Sequence, residues 1–163
     1  MDDVGAVLVA GVIGAAVALW GVFSQRAISR RRATLDLISR SEADKDMLAA
    51  RQRFIELAKA DGGLAPFAEE AREKDPDTYK IRLVLNEFEL ISIGIQRGVV
   101  DYELYALWFR SGTVKYWSHA RPFVIRLRER TSNDMFYHEF EELARWLGGA
   151  RKPRRYWWWG KIR

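Results

Sequence analysis

The chain has 163 residues, of which 48% are apolar and 30% charged, with only 4 Pro. That is the size and composition of one folded domain rather than a disordered or fibrous segment. It has no Cys and 2 His, which excludes a disulfide scaffold, a thiolate nucleophile and Cys-ligated zinc or iron–sulfur, and leaves little for a histidine metal site. The net charge of +5 points to an anionic partner, but its distribution is uneven. Residues 33–149 hold 17 Lys/Arg against 20 Asp/Glu, while Arg26, Arg30, Arg31 and Arg32 precede this body and six bases with no acid follow it. A nucleic-acid-binding domain carries its bases over a folded face; here the body is slightly acidic and its flanks are basic.

The first element is a twenty-residue uncharged run, Val4 to Phe23. As a helix it measures about 30 Å, the thickness of a bilayer core. Ten strongly apolar residues and Trp20 near its end fit a transmembrane helix over residues 1–25. A cleaved signal peptide would begin with bases, whereas Asp2 and Asp3 are acidic. A buried soluble helix rarely runs this far without a polar stripe. The basic bias after the run places the N-terminus outside and the rest in the cytoplasm. Ala10, Gly14, Ala18 and Gly21 form a small-residue face on which two such helices can approach closely. Residues 26–40 continue the helix as a basic stalk, in which Arg26, Arg30, Arg31 and Arg32 meet anionic headgroups.

Helical periodicity dominates residues 41–149 and predicts an all-α bundle. Ser41 with Asp44 resembles a capping box for a helix that runs to about Ala60 and stops at Gly62-Gly63. Pro66 opens a short helix over 66–73. Asp77 caps a central helix over 78–97, with a stripe of Ile81, Val84, Leu85, Phe88, Ile91 and Ile95 widened by Leu83, Leu90 and Ile93. Gly98 terminates it. Asp101 caps a helix over 102–110, Gly112 separates that from the next, and Pro122 kinks or divides the latter. Asn133 or Asp134 caps a last helix with the stripe Phe136, Phe140, Leu143, Ala144 and Leu147.

Residues 150–163 form a distinct tail in which Arg151, Lys152, Arg154 and Arg155 lead into Tyr156, Trp157, Trp158 and Trp159. Trp and Tyr favour the bilayer interface and Lys/Arg favour anionic headgroups, which makes a second membrane contact the leading reading. Docking of the Trp cluster onto the bundle and binding of single-stranded nucleic acid are the competing ones, with nucleic acid the least favoured.

No motif announces catalysis. His138 and Glu142 lie one turn apart but match no zinc or di-iron pattern. Glu87 and Glu89, two apart on a helix, do not face each other. Glu89 is expected to pair with Arg126, Arg128 or Arg130. Gly94-x-x-x-Gly98 is not a phosphate loop. The expectation is a chain with no catalytic, cofactor-binding or metal residues.

Several segments together carry a resemblance. Leu85-Asn86-Glu87-Phe88-Glu89 with Gly94, Gly98 and Asp101, the earlier Arg32-Ala33-Thr34-Leu35-Asp36, and the later Trp108, Trp117, Arg126 to Arg130 and Phe136 to Trp146 resemble an uncharacterised bacterial and prophage family, catalogued as a domain of unknown function. The resemblance spans roughly residues 1–147. It implies a membrane helix followed by a helical cytoplasmic domain, and it carries over no site residue. The resulting expectation is a single-pass protein of the bacterial inner membrane, a non-catalytic interaction or scaffolding module. Its partners are the lipid bilayer, an unidentified protein and, through the small-residue face, a second copy of itself. The alternative is a membrane-active effector of phage exclusion or host defence that acts by self-association.

Overall fold

The computed structural model describes residues 3–149. Five α-helices, and no strands, occur among them: α1 (Asp3–Ala43), α2 (Lys45–Lys59), α3 (Pro76–Gln96), α4 (Tyr102–Thr131) and α5 (His138–Leu147). The 41 residues of α1 form one continuous rod, about 60 Å long, so the apolar run and the stalk are a single helix. From Val9 to Phe23 every side chain is exposed. One N-terminal helix is therefore long and apolar enough to cross a membrane.

Asp44 ends the rod and starts the next helix. Its Oδ1 accepts from the N–H groups of Asp46 and Met47 at 3.0 and 3.1 Å, satisfying two of the donors a helix start leaves open. The cap is Asp44 alone, because Ser41 is still inside α1. After α2 the chain turns through Gly62 and Gly63, both at positive φ, a region glycine enters without a Cβ clash. The expected helix over 66–73 is two short 3₁₀ turns, Ala65–Ala68 and Glu70–Arg72. Asp75 rather than Asp77 caps α3, accepting from the Asp77 N–H at 2.8 Å, with Pro76 at the first helical position. This frees Asp77 to pair with Arg53 of α2 at 2.7 Å.

The expected break falls three residues before Gly112: α4 (Tyr102–Thr131) is interrupted by a kink at Phe109 and then runs through Pro122 to its end. Its bend is at Phe109 (φ −132°, ψ 20°). Gly112 is small because the Phe109 ring lies over it, 2.7 Å from where a Cβ would stand. Pro122 faces solvent, where water can take up the carbonyl that loses its donor. α5 begins at His138, after Tyr137 at φ 54°, with no cap from Asn133 or Asp134. Phe136 lies before α5 and is exposed, so it is not part of the helix's apolar stripe.

Phe88 is at the centre of the core. Its ring stacks on Phe140 of α5 at 4.5 Å and contacts Tyr116 and Phe109 of α4 at 5.2 and 6.1 Å. One apolar cluster joins α2, the first half of α3 and the second half of α4; another gathers Ile91, Ile95, Val100, Tyr105, Leu143 and Leu147 with Leu37 of α1. The wide stripe expected for α3 is narrower: Leu90 is 67% exposed and Ile93 is also exposed. Phe88→Ala is expected to lower the unfolding free energy of the chain in detergent by about 3–5 kcal/mol, whereas Leu90→Ala should change it by less than about 0.5 kcal/mol. Denaturant titrations of the two variants side by side check this.

Candidate functional site

The membrane-proximal end of the bundle is built where α1 docks on α3 and α4. Of the α1 side chains, Thr34 and Ser41 are buried and Arg30 and Leu37 on the same helical face are half-buried, with Ala33 and Ile38 half-buried beside them. Thr34 is fully buried. Its Oγ1 accepts the Asp101 N–H at 2.7 Å and donates to the Arg30 carbonyl at 2.9 Å. Arg30 Nε reaches Asp101 Oδ2 at 3.2 Å. The other oxygen of Asp101 accepts from the Leu104 N–H at 3.0 Å, the expected cap of α4. One short loop, Arg97 to Asp101, is thus clamped to the stalk. Gly94 allows the loop to close: a Cβ there would come within 2.8 Å of Val100 Cγ2.

A second clamp lies about two turns further along. Arg51 of α2 donates to both carboxylate oxygens of Glu87 of α3, with the NH2 contacts at 2.8 Å. Ser41 donates to Glu87 Oε1 at 2.7 Å and accepts from Arg51. The Arg51 and Glu87 side chains are 9% and 12% exposed, so this is a buried pair that holds three helices. Thr34 meets residue 101 and Ser41 meets residue 87, so α1 and α3 run antiparallel.

Glu89 does not pair with Arg126, Arg128 or Arg130. It caps α5 from outside: its oxygens accept the Phe140 N–H at 2.7 Å and the Glu139 N–H at 3.4 Å. Burial pushes its carboxyl up, against the pull of those two donors. The three arginines pair instead with Glu69, Glu141 and Glu73. Glu142, one turn from His138, pairs with Arg145. Among the described residues, no group of three or more His, Asp or Glu could hold a metal ion.

Of the four stalk arginines, Arg26, Arg31 and Arg32 are exposed, while Arg30 is engaged by Asp101. Ala10, Gly14, Ala18 and Gly21 are all exposed. A Cβ at Gly14 or Gly21 would meet nothing within 4 Å. The tail residues Arg151, Lys152, Arg154, Arg155, Tyr156, Trp157, Trp158 and Trp159 lie outside the described residues. Sequence reasoning missed Thr34, Ser41 and Arg51, whose only local signal was Thr34 and Ser41 recurring at seven residues, the spacing of one helix face.

The model of a domain of unknown function, DUF4760, matches residues 8–146. The chain belongs to the DUF4760 family. No curated protein and no solved structure matches it. The DUF4760 match takes in most of the long apolar helix as well as the bundle, so both clamps lie inside the family's shared region.

Glu87→Leu leaves the Arg51 charge buried without its partner and should cost about 3–5 kcal/mol; adding Arg51→Met should recover most of that loss. A double-mutant cycle by chemical denaturation measures it. The hydrogen bonds from Arg53 hold the Asp77 carboxyl below its ordinary value. The stability this contributes is present above the ordinary carboxylate pKa and is lost as pH falls through the depressed folded value. Asp77→Asn should therefore flatten the acid limb of a melting-temperature profile and lower stability near neutrality.

Proposed function

We propose that this DUF4760 protein is a single-pass, membrane-tethered helical module whose bundle lies in the bacterial cytoplasm against the inner leaflet, and that it works by binding rather than by catalysis. The observation that carries the reading is the direction of α5. Tyr102 Oη donates to the Trp146 carbonyl at 3.4 Å, and Arg110 Nε donates to the Leu147 carbonyl at 2.6 Å. Tyr102 adjoins Asp101, which Arg30 and Thr34 hold. The C-terminal end of α5 is therefore at the end of the bundle nearest the apolar part of α1.

From Phe23 to Thr34 the rod rises about 16 Å. A tail of fourteen residues beyond Gly149 has a contour length of about 45 Å, ample to return to a bilayer at that level. Six basic residues in it contribute at most about 1 kcal/mol each at an anionic surface, and the tether raises their local lipid concentration. The orientation rests on the arginines that follow the apolar run. The binding role is supported by the fate of the polar groups that looked chemical: Glu87 is saturated by Arg51 and Ser41, and Glu89 by the start of α5.

The absence of Cys makes a single-site label clean. Gly160→Cys carrying an environment-sensitive dye, in the full chain reconstituted into vesicles, should emit at shorter wavelength when anionic lipid is present. Raising salt from about 0.05 to about 0.5 M should reverse the shift, because screening shortens the reach of surface charge. Identical emission in anionic and zwitterionic vesicles would remove the tail from the membrane.

A further inference from the structure

The docking of the bundle fixes which face of α1 stays free. With Gly14, Gly21, Ile28 and Leu35 at strict seven-residue intervals, this line can be taken as position d of a heptad. The inward residues Arg30, Thr34, Leu37 and Ser41 then fall at positions c and f, the back of a coiled coil, while the half-buried Ala33 and Ile38 fall beside them at b and g. The front is open. Ile28 is 45% and Leu35 51% exposed, and Gly14 and Gly21 have no neighbour. Two large apolar side chains thus stand in water on the face turned away from the bundle.

Lipid cannot cover the whole line. Leu35 lies about 18 Å along the rod past Phe23, whereas the interfacial layer beyond the hydrocarbon is only about 5–7 Å thick on each side. The flanking charges indicate what can. In the same heptad Arg31 occupies position g and Asp36 occupies position e. Both are exposed and neither has an ion-pair partner among the described residues. A g residue meets the e residue five positions on in a parallel partner helix, and Arg31 and Asp36 have that spacing and opposite signs. The line is thus self-complementary in charge. A second copy inserted in the same bilayer would present it in parallel and at the same depth, which closes a two-fold pair.

We propose that α1 pairs with α1 of a second copy as a parallel two-helix rod, with Gly14, Gly21, Ile28 and Leu35 on the seam and Arg31 bridging to Asp36 of the partner copy. The glycines allow close approach within the bilayer. Ile28 and Leu35 continue the contact into the cytoplasm, and the two bundles sit on opposite outer faces. Gln25 and Arg32 at position a lower the affinity and restrict the assembly to two strands in one register. The proposal rests on α1 being a membrane anchor.

The test uses the full chain in its membrane, diluted in lipid so that chance encounters are rare. Leu35→Cys and Ile28→Cys each provide a lone thiol on the seam, where two copies approach within disulfide reach; Arg40→Cys places one off the seam. Oxidation should give covalent dimers from the first two in at least about five-fold higher yield than from the third. In the Leu35→Cys background, Asp36→Arg should lower the yield about two- to five-fold, the size of an exposed ion pair, and adding Arg31→Asp should restore it. Equal yields at residues 28, 35 and 40, or a double reversal no better than the single one, would overturn the pairing; cover by the chain's own tail or by another protein would give the first of these results. Resistance to alkaline extraction, read on the same membranes, reports the anchor separately, so loss of the anchor and loss of the pairing are told apart.

Discussion

Two polar contacts decide how α1 is rotated about its own axis, and most of the molecule's architecture depends on that rotation. Thr34 takes the buried N–H of Asp101, and Ser41 joins the Arg51–Glu87 pair. A buried N–H without an acceptor, or a buried charge without its counter-charge, costs more than most single apolar contacts supply. The long helix is therefore held in one register and one orientation. A purely apolar stalk face could slide or turn with little loss, because apolar burial has no direction. Here the hydrogen-bonding groups supply the direction and Leu37 supplies apolar contact between them.

The same logic is applied a second time inside the bundle. α5 has no capping side chain of its own, and Glu89 of α3 serves its first N–H groups instead. Its start is therefore placed by tertiary contact, beside the Phe88–Phe140 stack. Once α5 is anchored there, its far end must reach the level of Tyr102, and Arg110 closes it by donating to the Leu147 carbonyl. Gly149 consequently lies on the side of the apolar helix. Carboxylates that seemed to be candidates for chemistry are the pieces that set this geometry.

Much of the fold was legible in the residues. The uncharged run, the glycine stops at Gly62, Gly63 and Gly98, the cap at Asp101 and the apolar stripe through Ile81, Leu85 and Phe88 all act locally or at helical period. Each follows from backbone conformation or from which face must leave water. The misreadings share one cause. Ser41, Asp77, Asn133 and Asp134 are all chemically able to cap a helix. Which of them does so depends on partners distant in sequence: Glu87 claims Ser41, Arg53 claims Asp77, and Glu89 replaces Asn133 and Asp134.

By itself the sequence determined that this chain is helical, that its first twenty-odd residues are long and apolar enough to cross a bilayer, and that its basic charge is concentrated outside the central body. Those are sums over local composition and periodicity, and no later contact can alter them. Only the tertiary structure decided that the stalk lies against the bundle, that Arg30 is turned inward while Arg31 and Arg32 are not, and that Ile28 and Leu35 are left uncovered. Each of these depends on the rotation of one helix against others. Hydrogen bonds between residues 46 to 71 positions apart set that rotation, and no pattern within a single segment encodes it.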